Sequence, residues 1–261
     1  MDVRSWVESW GRELASLVLP LQCAGCGLDD VAWCSPCRAP FEAAPRRCEQ
    51  RAGRLDLLDG APLPVWTLAD CVGPVREAVV AWKDRGRYDL TPELARVARD
   101  GAARAVALWD RPDGTLLVVP APSTAAARRR RGANLVEGLA TAVADGLTSS
   151  GRPARDAAVL TRRGADQAGL GARARGLNLA GHVRVRANAP DLTGRAVLVV
   201  DDVLTTGATI AACRVAVEAC GARVVGAFTL ASTPPPGEVA PPVVSQALAP
   251  AGDWWSGPVR G

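Results

Sequence analysis

Histidine and lysine are nearly missing from this 261-residue chain: His182 is the only histidine and Lys83 the only lysine. A lone histidine in a predicted helix or its exit reads as a surface or packed side chain, not as a catalytic base. Arginine has replaced lysine almost everywhere among the 31 basic residues, and together with abundant Ala, Gly and Pro this suggests a GC-rich coding bias. The arginine surplus is therefore poor evidence of chemistry by itself, and a net charge of +4 is too mild to require a polyanionic partner. Aromatic residues make up only 4%, so platforms for stacking the bases of a single strand are scarce. No run approaches the roughly 20 apolar residues that cross a bilayer, which excludes a transmembrane helix.

What is present is enough for a full core, since 48% of the residues are hydrophobic. The opening "MDVRSWVESWGRELASLVL" places Trp6, Trp10, Leu14 and Leu17 on one helical face and carries Asp2, Glu8 and Glu13. This predicts an amphipathic helix over 1–19 in place of a signal peptide, and with it a cytoplasmic protein. A reducing compartment keeps thiols free, so the eight cysteines need an explanation other than disulfides. Cys23, Cys26, Cys34 and Cys37 stand as C-x2-C-x7-C-x2-C, two turns that each aim a pair of thiolates at one tetrahedral ion. A closed four-cysteine site predicts structural Zn2+ in a small module over 20–50. Redox CxxC pairs are the alternative. Cys48, Cys71, Cys213 and Cys220 read as small core hydrophobes.

A polar, Gly- and Pro-containing linker is expected over 51–64, and a main domain over 65–233. Within that domain "VWTLADCV", "TLLVVP", "AAVL", "RAVLVV" and "ARVVGAFTL" read as strands, separated by helices such as "PVREAVVAWKDRG" and "TPELARVARDGAARAVALW". In the latter, Thr91 is the expected N-cap, with Pro92 in the first turn. The alternation predicts an α/β fold, a mostly parallel sheet flanked by helices, with ligands at the carboxyl ends of its strands. Residues 234–261 are Pro-, Ala- and Gly-rich and read as a flexible tail.

The stretch "VLVVDDVLTTGAT" raises the functional question, because a buried strand ends on Asp201 and Asp202 and is followed by a loop of Thr and Gly. The loop, Val203, Leu204, Thr205, Thr206, Gly207, Ala208 and Thr209, leads into a helix. Its amides and hydroxyls, with the helix dipole, make an anion cradle. Two carboxylates cannot bind the same phosphate, but they can accept hydrogen bonds from adjacent ribose hydroxyls. The two features together describe a 5-phosphorylated ribose.

The same residues resemble the signature of type I phosphoribosyltransferases. The four-cysteine start, "GPVREAVVAWKDRGRYDL", "LLVVPAPS", "RRRRGANL", "ADQAGLGARARGLNL" and "GRAVLVVDDVLTTGAT" together resemble the zinc-finger ComF/GntX family, several of whose members are linked to competence for DNA uptake. The resemblance implies that 5-phosphoribosyl-1-pyrophosphate binds with Mg2+. Residues 203–209 would hold the 5-phosphate, and Asp201 and Asp202 the ribose. Pro120, Ala121, Pro122 and Ser123, with Lys83, would lie on the pyrophosphate side, and Arg163, Gln167 and Arg173 in a mobile hood. Ala133 and Leu135 stand where the family has an aromatic residue and a glutamine. That leaves transfer of the ribosyl phosphate to an acceptor open beside simple binding.

A second reading starts from the run Arg128–Arg131 with Arg162, Arg163, Arg173, Arg175, Arg184 and Arg186, which can line an edge for single-stranded DNA. It makes the chain a non-catalytic competence or DNA-processing factor with a sugar-phosphate-sensing pocket. The sequence leaves a homo-oligomer open.

Overall fold

The computed structural model describes residues 21–53, 55, 62–108, 114–123, 134–162 and 183–235. The predicted N-terminal helix, the hood residues Arg163, Gln167 and Arg173, the run Arg128–Arg131 and nearly all of the tail lie outside the described residues.

A short helix α1 (Ser35–Arg38) belongs to the cysteine module, and a two-residue strand β1 (Arg46–Arg47) follows it. Then come β2 (Val65–Asp70), α2 (Gly73–Asp84), α3 (Thr91–Arg104), β3 (Leu116–Pro120), α4 (Leu135–Ser149), β4 (Ala154–Asp156), β5 (Leu160–Arg162), β6 (Val183–Val185), β7 (Ala196–Leu204), α5 (Ala208–Glu218) and β8 (Arg223–Ser232). Six strands form one sheet in the order β1-β2-β8-β7-β3-β4, and only β1 runs antiparallel to its neighbour. The expected mostly parallel sheet flanked by helices is the observed one.

Strand alternation divides the core in two. Leu116, Val118, Leu198 and Val200 face α2, α3 and α4, whereas Leu117, Val119, Val197 and Val199 face α5 and the β5–β6 ribbon. The central strands are apolar throughout because both faces are covered. The strand expected at 157–160 falls at a corner instead. β4 pairs with β3, and the chain then leaves the sheet, so that β5 pairs antiparallel with β6.

The cysteine module is built into this core. Cys23, Cys34, Cys37, Trp33 and Phe41 pack on the same apolar cluster as α2 and α3. Trp33 meets Phe41 edge-on, with ring centroids 5.2 Å apart. Arg87 donates to the carbonyls of Gln22 and Ala32 at 2.8 and 3.2 Å. Ala52, Leu55 and Leu63, inside the stretch expected to be a linker, are buried in the opposite cluster. Of the four cysteines outside the motif, Cys48 and Cys213 are buried as expected, Cys71 is half-buried, and Cys220 is exposed and so is no core residue.

Thr91 is the first residue of α3 and not its N-cap. Its hydroxyl accepts from the Trp82 indole N–H at 2.9 Å, satisfying the polar edge of a fully buried ring. α3 and α4 approach closely because Gly146 has no side chain: a Cβ there would lie 2.2 Å from the carbonyl oxygen of Arg99. Gly138, on the same helix, has nothing within 4 Å of that position. Gly146→Ala is therefore expected to destabilise the fold by about 1–3 kcal/mol through overpacking, and Gly138→Ala to stabilise it by about 0.4–1 kcal/mol. Urea unfolding of the two variants beside the wild type measures the contrast.

Candidate functional site

β7 outruns β3. The two strands pair as far as Pro120 and Val200, and the last bond between them is from Ala121 N–H to Val200 O at 2.8 Å. β7 continues to Leu204, held among the described strands by β8 alone, through Asp201↔Thr229, Val203↔Ala231 and Leu204↔Ser232. A crevice opens where β3 stops, at the carboxyl ends of parallel strands, and Asp201 and Asp202 line it from within the strand and not from a loop. This cleft of about 280 Å³ also receives Lys83, Ala121, Pro122, Ser123, Val136, Arg162, Val203, Thr205 and Thr209.

The two carboxylates have different surroundings. Asp202 is buried, and its Oδ2 lies 2.7 Å from Lys83 Nζ on α2. Asp201 lies on the α5 side, where its charge, after burial itself, helps push up the buried Cys213 thiol. Burial and the neighbouring Asp202 charge raise Asp201 from an ordinary value of 3.8 to about 7, with Lys83 opposing. Lys83 thus reaches the cleft, but as the counter-ion of a carboxylate.

Beyond Leu204 the chain turns through Thr205 and Thr206, both exposed, to Gly207 at φ +78°, and α5 begins at Ala208. Only glycine adopts that angle without strain, and a Cβ at 207 would also lie 2.7 Å from Leu55 Cγ and 2.9 Å from Ala52 Cβ. Asp201, Val203–Thr205 and Gly207–Ile210 line a small pit at the head of α5, where the first amides of the helix have no partner within it.

The turn after β3, expected on the pyrophosphate side, is poor in backbone donors. Pro120 and Pro122 have no N–H and that of Ala121 bonds to Val200, so Ser123 carries the remaining amide of this four-residue stretch. The Ser123 hydroxyl lies 3.2 Å from Asn134 Oδ1, tying the turn to the start of α4. Arg162 and Val136 were not among the site residues expected from the sequence. Arg162 ends β5 and lines the cleft, with no ion-pair partner among the described residues. A basic residue just ahead of the expected hood was the one available signal.

Elsewhere, the sulfurs of Cys23, Cys26, Cys34 and Cys37 all lie within 4.8 Å of one another. Cys34 Sγ is 3.5 Å from Cys23 Sγ and 3.7 Å from Cys26 Sγ, close to the edge of about 3.8 Å of a tetrahedron with Zn–S near 2.3 Å. Gly25 makes the close turn possible, since a Cβ there would lie 2.8 Å from Cys37 Sγ. Burial acts to raise the Cys23 pKa, but N–H groups of Cys34, Cys26 and Gly25 outweigh it and hold the thiol near 6. Burial and the three neighbouring thiols push Cys37 up. Four crowded sulfurs of this kind fit a divalent ion such as Zn2+, and the donor set leaves no open position for catalysis.

Residues 138–242 match the family model of the phosphoribosyl transferase domain. The match takes in Asp201 to Thr209 and β8, and leaves out Lys83, the turn after β3 and the four clustered cysteines. No curated protein matches the chain. Two crystal forms of a hypoxanthine phosphoribosyltransferase from Staphylococcus aureus align at 12% identity, with TM-scores of 0.32 and 0.34. They cover 54% and 55% of this chain and 64% and 65% of theirs, so the chain spans under two thirds of that enzyme's length. An adenine phosphoribosyl transferase from Trypanosoma brucei, in complex with AMP, pyrophosphate and ribose-5-phosphate, aligns at 17% identity with a TM-score of 0.34 over 78% of this chain and 83% of that one. Overlaps this loose say nothing of the chemistry in the cleft, which rests on its own residues.

Because the raised Asp201 carboxyl holds its proton more tightly in the folded state, its contribution to stability is present below about pH 4 and is lost as pH rises to about 7. Asp201→Asn is thus expected to melt about 2–4 °C above the wild type at pH 8, with the gap closing towards pH 4. A difference independent of pH would show that the carboxyl is not the cause. For the cysteine cluster, elemental analysis is expected to find one Zn2+ per chain. Its removal by a chelator is expected to lower the melting temperature, because three of the four cysteines are part of the core.

Proposed function

We propose that the protein binds 5-phosphoribosyl-1-pyrophosphate with Mg2+ and transfers its ribosyl phosphate to an acceptor. The observation that carries this reading is the meeting, in one cleft, of an anion cradle at the head of α5 with two carboxylates and two cations. The Thr205–Thr209 loop takes the 5-phosphate through backbone amides and hydroxyls. Asp201 and Asp202 accept hydrogen bonds from the ribose hydroxyls, and Lys83, 2.7 Å from Asp202 Oδ2, holds that carboxylate in place. Arg162, together with Ser123 of the turn after β3, meets the pyrophosphate. When bound, Mg2+ would neutralise charge on the ligand's oxygens near Asp201 and Asp202. In the reaction the acceptor forms a bond to the anomeric carbon as the bond to pyrophosphate oxygen breaks. The chain's part is to fix position and to stabilise the charge on the leaving group. The match over residues 138–242 supports the reaction class.

Membership of the ComF/GntX family, and with it a link to DNA uptake, is the finer proposal. It is supported by the order of the quoted segments and by the four clustered cysteines. The single-strand reading draws less support, since most of its arginines lie outside the described residues and Arg186 donates to Leu160 O at 3.1 Å.

Calorimetric titration with phosphoribosyl pyrophosphate and Mg2+ tests the proposal. The wild type is expected to bind with a Kd on the order of micromolar, and an Asp201→Asn, Asp202→Asn double variant to lose at least about 2 kcal/mol of that binding. Absence of binding by the wild type at every Mg2+ concentration overturns the reading.

A further inference from the structure

The segment that leaves the cysteine module does not stop at the sheet edge. After the buried Phe41, β1 pairs with β2 (Arg46↔Thr67, Arg47↔Trp66), and Cys48 N–H bonds to Val65 O at 2.9 Å. A turn over Glu49–Arg51 then delivers Ala52 and Leu55, 0% and 2% exposed, against Gly207. Arg51 holds the turn in place through Asp70 at the end of β2 and through Ser232 Oγ, 3.1 Å away, at the end of β8. β8 is bonded in turn to the end of β7, through Thr233 N–H to Leu204 O at 2.8 Å. The left-handed glycine that starts α5 therefore rests on two side chains about 150 residues earlier in the chain. No strand or helix of the sheet supplies them.

We propose that Ala52 and Leu55 are positioning residues for the phosphate loop, so that the segment closing the cysteine module is part of the phosphate site. This inference rests on the phosphate assignment made above. The two side chains touch no ligand. They fix the height of Gly207, and so the direction of the amides at the head of α5. A loop displaced by even a few tenths of an ångström presents those amides poorly to a phosphate, while the pyrophosphate side of the cleft, built by Arg162 and Ser123, stays as it was.

The experiment compares two probes, ribose 5-phosphate and pyrophosphate with Mg2+, titrated calorimetrically into the full chain. Leu55→Ala removes support beneath Gly207, and Ala52→Val presses on it from the same side, so one variant remains if the other fails to fold. Leu192→Ala, a buried residue of the same apolar cluster away from the loop, is the control for general loosening. The expected result is that Leu55→Ala and Ala52→Val weaken ribose 5-phosphate by about tenfold or more, keep pyrophosphate affinity within about twofold, and differ in this from Leu192→Ala. Unchanged ribose 5-phosphate binding in folded variants overturns the inference, as does an equal loss of both probes. A wild type that binds neither probe overturns the phosphate assignment itself, an outcome distinguishable from the other two.

Discussion

Two adjacent carboxylates sit where a buried strand runs past its neighbour, and holding them out of bulk water is the constraint around which the nearby elements are arranged. An isolated buried charge costs several kcal/mol, and two side by side repel. The fold answers by giving them different partners. Asp202 takes Lys83 from α2 at 2.7 Å, while Asp201 remains on the α5 side with a carboxyl that is readily protonated. This tension is tolerated because it leaves acceptors aimed into a crevice that the sheet itself provides. The same crevice is lined by Arg162 from β5 and adjoins the first amides at the head of α5.

The cysteine module fits the same logic of support. Its sulfurs approach the spacing of a tetrahedral site, yet its Trp33 and Phe41 share an apolar cluster with α3 and with α2, which carries Lys83, and its onward chain becomes the edge strand of the sheet. A closed metal site is a way to order a short, loop-rich segment that could not bury enough surface alone. Here the ordered segment is anchored by Arg87, between α2 and α3, and by Arg96 and Arg104 of α3, each reaching back to the module. It thus belongs to the architecture that frames the cleft.

Much of this was legible in the sequence because it is local. The apolar run ending in Asp201 and Asp202, the Thr- and Gly-containing turn and the C-x2-C pairs each concentrate their signal within a few residues, and alternation of strand and helix implied the parallel sheet. What escaped was what depends on distant partners. No pattern near Lys83 announces Asp202, and nothing around Ala52 and Leu55 distinguishes a floor for Gly207 from the polar linker that their neighbours suggest. The scarcity of amides after β3 has a local cause that only the pairing completes: two of the four residues are prolines, and the N–H of a third is spent on Val200. Arg162 was counted with the surface arginines because its neighbours are basic, and the ribbon of β5 and β6 is what turns it inward.

The strand order has one more consequence, for how the molecule comes into being. The last strand, β8, lies in the middle of the sheet, between β2 and β7, so Val65 finds its partner in Ala227. During synthesis, β2 and the turn that ends in Leu55 must wait, with an apolar edge uncovered, until almost the whole domain has left the ribosome. Such distant pairings close late and slowly, and an unpaired inner strand invites association with other chains. The helices α2 and α3 and the cysteine module, all completed earlier, are the elements able to shelter one face of β2 in the interval.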